Sequence, residues 1–121
     1  MLVDQQAAVA TAQRPSLTVQ QLPDGTRVVG FDAALVPGWN KPTTQVRFVL
    51  PLAYPAAQPD CFYADTDLRL ATGAMPGNSG IQALNGIPLL WFSWHLTAWH
   101  PQRDNLLTFV RFVESRLHDP R

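Results

Sequence analysis

The sequence has a single cysteine, Cys61, and a single lysine, Lys41. A lone thiol excludes an intramolecular disulfide and a zinc site built from several thiolates, and with them the fold classes that depend on either. Charge of one sign is also missing: nine basic residues balance nine acidic ones, for a formal net charge of zero. Without a long-range field to gather phosphate backbones or anionic lipids, neither nucleic acid nor a membrane is an expected partner. No apolar run approaches the roughly 20 residues needed to cross a bilayer. The chain does not open with a basic segment followed by an apolar core. The expected setting is the cytoplasm. Charged residues make up only 15% of the chain, little for a fully solvated surface, so part of the apolar surface is expected to face a partner.

With 121 residues, 46% of them hydrophobic, the chain is long enough for one core and too short for two, so residues 1–121 are expected to form a single domain. Asp4 to Gln13 is rich in Ala and Gln and is closed by Pro15, which predicts an N-terminal helix. Leu17 to Leu22 and Arg27 to Phe31 are β-prone and flank Pro23-Asp24-Gly25, which predicts a hairpin. Asp32 to Pro42 reads as a loop. Thr43 to Leu50 places Val46, Phe48 and Leu50 on one face, as a third strand would. Pro51, Pro55 and Pro59 then impose a stiff turn. Cys61 to Ala64 is the fourth strand. Ala71 to Pro88 is punctuated by Gly73, Gly77, Gly80, Gly86, Pro76 and Pro88, which predicts a long loop, the kind of segment that carries function. Asp104 is a candidate N-cap for a final helix whose apolar stripe is Leu106, Phe109, Val110, Val113 and Leu117, with Pro120 as its stop. The expected architecture is α+β: N-terminal helix, four-stranded antiparallel meander, long loop, C-terminal helix.

Several short motifs recur in this frame. Tyr54-Pro55 is followed by Pro59 and Asp60, then by Asp65, Arg69 and Leu70, then by Ser93, His95 and Trp99. Taken in this order, from about Pro37 to Leu117, they resemble prokaryotic family E of the ubiquitin-conjugating (UBC) superfamily. The resemblance implies the UBC-like fold, with Tyr54-Pro55 at the exit of the third strand and Trp99-His100-Pro101 introducing the last helix. It implies a ubiquitin-like protein and an adenylating activating enzyme as partners, with a metalloprotease that removes ubiquitin-like tags in the same system.

Ordinary conjugating enzymes place His-Pro-Asn before the catalytic cysteine, the asparagine stabilising the oxyanion formed in transfer. Between Ala71 and Trp99 this chain has no cysteine, and Met75-Pro76-Gly77-Asn78 is only a distant echo of the motif. The expectation is therefore a variant UBC domain that binds a ubiquitin-like protein or its activating enzyme without cysteine thioester transfer. Cys61 is expected to be a small buried hydrophobe, since Asp60 and Asp65 nearby would raise the pKa of its thiol. His95, in the aromatic stretch Trp91 to His95, is the candidate base or nucleophile of an atypical transferase, assisted by Ser93 or Asn78. Cys61 is the lesser alternative. Tyr54, Pro55, Trp91 and Trp94 are the candidate partner-binding residues. Asp65 and Arg69, four apart, are expected to pair and, with Asn78 and Trp99, to play structural roles. His100 and His118 are expected at the surface. Because no carboxylate is near any of the three histidines in sequence patterns that bind zinc, no metal site and no cofactor are expected.

Overall fold

The computed structural model describes residues 2–121. Their order is α1 (Leu2–Gln13), β1 (Thr18–Gln21), β2 (Arg27–Ala34), β3 (Thr43–Leu50), β4 (Phe62–Ala64), β5 (Ser79–Leu84), β6 (Ile87–Phe92) and α2 (Leu106–Leu117). The strands form one six-stranded antiparallel sheet in the order β1-β2-β3-β4-β6-β5. This is the expected helix, antiparallel sheet and helix, consistent with a UBC-like fold.

The strand count corrects the expectation of four. The segment read as a loop from Ala71 to Pro88 contains all of β5 and the start of β6. Asn85 (φ 50°) and Gly86 (φ 80°) both occupy the left-handed region, the backbone of a two-residue type I′ turn whose twist suits a tight hairpin. The preceding residues are pinned rather than loose. Ala71 N donates to Gly38 O at 2.8 Å, and Gly77 N donates to Arg121 O at 2.9 Å.

One face of the sheet makes the core. Val29, Phe31, Val46, Phe48, Phe62, Leu90 and Phe92 alternate along their strands onto that face and are almost fully buried. They meet the α2 stripe Leu106, Phe109, Val110, Val113 and Leu117, with the Phe48 and Phe109 rings 4.7 Å apart. The N-cap of α2 is Asn105, one residue beyond the expected Asp104. Asn105 accepts from Leu107 N and Thr108 N, while Thr108 Oγ1 accepts from Asn105 N, so three of the donors left free at a helix start are satisfied. Asp104 instead accepts from His100 N at 2.8 Å. The first helix is tied to the last by a bidentate ion pair, Arg14 to Glu114 at 2.6 and 2.8 Å.

Arg116, 2% exposed, locks the far end of α2. Its guanidinium donates to the carbonyls of Asp119, Arg121 and Gly77 and lies over the Phe92 and Trp94 rings at 5.2 and 5.3 Å. On the opposite face of the sheet, register places Gly30, Arg47, Tyr63, Trp91 and Gly80 in a single row across β2, β3, β4, β6 and β5.

Candidate functional site

Strand pairing builds the site. Phe62 pairs with Phe92 at the start of β4 and the end of β6, and the two rings stack 4.6 Å apart on the core face. The residues just outside this pair, Asp60 and Cys61 on one side and Ser93 to His95 on the other, therefore converge at one end of the sheet although more than 30 positions separate them. Ser93 is held in turn by its N–H, which donates to Asn78 O at 2.8 Å.

His95 is the hub. Its Nδ1 lies 2.8 Å from Asp60 Oδ1, and its Nε2 lies 3.4 Å from Ser93 Oγ. An ionised carboxylate only accepts, so Nδ1 carries the proton and donates to Asp60. In the neutral ring this leaves the Nε2 lone pair facing the Ser93 hydroxyl, which donates to it. The His95 side chain is 51% exposed and that of Asp60 84%, so the dyad is open to a partner. The expectation of histidines without close carboxylates is thereby corrected: strand pairing supplies Asp60 to His95.

Cys61 is beside the hub but placed differently. It is 8% exposed, with Sγ 3.7 Å from His95 Nδ1 and 3.8 Å from Nε2. A sulfur equally far from both ring nitrogens sits on the plane between them, so neither the Nδ1 proton nor the Nε2 lone pair is aimed at it. Burial, and then the neighbouring Asp60 charge, push the thiol pKa up, outweighing hydrogen bonds that pull it down. Both effects disfavour the thiolate. Asp60, Cys61 and His95 also each offer a metal-ligand atom, all within 4.8 Å of one another.

The other expected site residues lie elsewhere. Tyr54 is buried in the core, its hydroxyl donating to Gln6 Oε1, an oxygen that also accepts from Leu106 N. Trp99 Nε1 donates to Pro55 O at 2.8 Å, and the Tyr54 and Trp99 rings are 6.1 Å apart. Tyr54, Pro55 and Trp99 thus join α1 to the approach of α2. Trp94 is stacked against Phe112, and the guanidinium groups of Arg116 and Arg121 each lie 5.3 Å from its ring. Trp91 is half-buried on the open face of the sheet. Asn78 is exposed with φ 56°, and its backbone carbonyl reaches the site through Ser93.

Asp65 and Arg69 do not pair, because nearer partners satisfy each. Asp65 takes Lys41 Nζ at 2.9 Å, which also binds Asp67. The Arg69 guanidinium donates to the carbonyls of Thr66 and Leu68. Asp60 is the site residue that sequence reasoning missed. It was visible as part of the Pro-Asp turn and as a neighbour of Cys61, but nothing in the sequence linked it to His95.

Residues 9–119 match the family model described as Prokaryotic E2 family E. No curated protein and no solved structure matches the chain.

Proposed function

The chain belongs to prokaryotic E2 family E, and from that membership we propose that it serves a ubiquitin-like modification system in the cytoplasm. It docks a ubiquitin-like protein or its adenylating activating enzyme and promotes acyl transfer with His95 as general base, without a thioester on Cys61. The observation that carries this reading is the pairing of an exposed His95 with Asp60 at 2.8 Å, beside a thiol that is buried and shifted away from the thiolate.

Transfer of an activated carboxyl group needs a proton removed from the attacking amine or hydroxyl as its bond to the acyl carbon forms and the leaving group departs. His95 Nε2 receives that proton. Asp60 holds the ring in the required tautomer and stabilises the imidazolium that results. Ser93 Oγ marks the direction from which the proton arrives.

The test is conjugation reconstituted with the cognate ubiquitin-like protein and adenylating enzyme. His95→Ala lowers the conjugation rate by about 10²-fold or more, the usual contribution of a positioned base, while docking measured by titration is unchanged. Cys61→Ser keeps the rate within about threefold. Full conjugation by His95→Ala would reduce the chain to a docking subunit. Failure to bind either partner would remove the reading altogether. A second reading, thioester transfer through Cys61, draws on the 3.7 Å approach of Sγ to His95. It predicts a reducible adduct that Cys61→Ser abolishes.

A further inference from the structure

We propose that Asp60, Cys61 and His95 form a binding site for a thiophilic divalent cation of the zinc type. Three donors of different chemistry converge: a carboxylate oxygen, a sulfur and an imidazole nitrogen, every ligand atom within 4.8 Å of the others. A mixed sulfur, nitrogen and oxygen set suits Zn2+ or Co2+, whereas Mg2+ and Ca2+ prefer oxygen throughout.

The three groups are near enough to be drawn onto one shared ion by side-chain movements alone. Bonds of about 2.3 Å to sulfur and about 2.0–2.2 Å to nitrogen and oxygen, at tetrahedral angles, place sulfur about 3.6 Å from nitrogen and nitrogen about 3.4 Å from oxygen. Cys61 Sγ is 3.7 Å from His95 Nδ1 but only 3.8 Å from Nε2, beside the ring rather than along the Nδ1 lone pair, so the thiol has to swing about its Cα–Cβ bond toward Asp60 to reach an ion there. Asp60 Oδ1 at 2.8 Å from Nδ1 would have to move out by about 0.6 Å, which its 84% exposed side chain permits. The Phe62 to Phe92 pairing brings the chain segments bearing Cys61 and His95 together, so sulfur and imidazole are neighbours before any ion arrives. Ser93 completes the case. When Nδ1 binds a metal, the other ring nitrogen keeps its proton and needs an acceptor, and Ser93 Oγ lies 3.4 Å from Nε2. With three protein ligands, a fourth position stays open to water.

On binding, the Cys61 thiol loses its proton to solvent and coordinates as thiolate. His95 coordinates through Nδ1, so its remaining proton sits on Nε2, the atom that must be free to accept one in transfer. Cation binding and base catalysis exclude each other, and the ion acts as an inhibitor of conjugation. This last consequence rests on the function proposed above; the cation site does not.

The experiment is Co2+ titration of the reduced full chain, followed by Zn2+ competition. The expected result is one equivalent of Co2+ with tetrahedral ligand-field absorption and a thiolate-to-cobalt charge-transfer band, both erased by Zn2+. Cys61→Ser and Cys61→Ala each remove the charge-transfer band. Asp60→Asn and His95→Gln weaken Zn2+ binding by about tenfold or more, at least the loss seen for outer-shell partners. Thermal unfolding establishes that each variant is folded. An octahedral Co2+ spectrum without the charge-transfer band overturns the proposal. So does a Zn2+ affinity that Asp60, His95 and Cys61 variants all retain, which marks adventitious surface binding. Because the readout is spectroscopic, its failure is distinct from a failure of the conjugation assay.

Discussion

Replacing Tyr54 by Phe should reverse its effect on stability as the pH rises. The Tyr54 hydroxyl is buried and donates to Gln6, and burial pushes its pKa from 10.0 up to about 12. In the unfolded chain the phenol ionises near the lower value, in the folded chain near the higher. Between the two, the native state holds more protons than the unfolded state, so stability falls with rising pH. Its contribution is complete below pH 10 and is gone once the pH has passed through 12. At 1.36 kcal/mol per unit, a shift of about two units is worth about 2.7 kcal/mol.

At neutral pH the Phe variant loses one hydrogen bond, a cost of about 1 kcal/mol, because Gln6 Oε1 still accepts from Leu106 N. The variant is therefore the less stable protein at pH 8. The two proteins match between about pH 10 and 11, where the accumulated loss in the parent reaches about 1 kcal/mol, and the variant is the more stable above that. Urea unfolding of both proteins at pH 8, 10, 10.5 and 11.5 measures the difference, and every other titrating group is common to both and cancels. A difference that stays constant over this range would refute the argument, since it would mean that the hydroxyl ionises as readily folded as unfolded.

Two further outcomes follow from the same geometry. Cys61, buried and with its thiol pushed up, should react with iodoacetamide at pH 7 about tenfold or more slowly than the urea-unfolded chain, its rate climbing only at pH values above the ordinary thiol range. Equal rates at pH 7 would contradict the burial argument and favour the thioester reading. Phe62→Ala, which deletes one of the two stacked rings behind the site, should cost about 3–5 kcal/mol in urea unfolding. A loss below about 1 kcal/mol would show that this pairing does not hold the site together.

The parts of the fold legible in the sequence are those with a clean local signal. Val46, Phe48 and Leu50 alternate strictly, and Thr43–Leu50 is β3 to the residue. Leu106, Phe109, Val110, Val113 and Leu117 follow a helical period, and all five face the core of α2. The β5 to β6 hairpin was obscured by Gly80 and Pro88, which punctuate loops in most settings. Here Gly80 sits on the edge strand, and Pro88 occupies the second position of β6 opposite Ala83. Yet Leu84-Asn85-Gly86-Ile87 carries the Asn-Gly turn that favours such hairpins.

Missing that hairpin hid the site. The approach of Asp60 to His95 follows from β4 pairing with β6, a long-range register that no local pattern encodes. His95 and Ser93 could be named from their neighbours, whereas their carboxylate partner could not. The Asp65 and Arg69 pairing failed for a similar reason: four-residue spacing implies contact only on a helix, and Asp65 to Arg69 is a turn in irregular chain, followed by a bridge at Leu70.

The type I′ turn at Asn85-Gly86 is the end of β6 farthest from His95. Six strand residues at about 3.3 Å each lie between them, about 20 Å of ladder, and β4 fixes the site end independently of what caps the other. An insertion at that fingertip should therefore leave the Asp60 and His95 pair at the base of the finger in place.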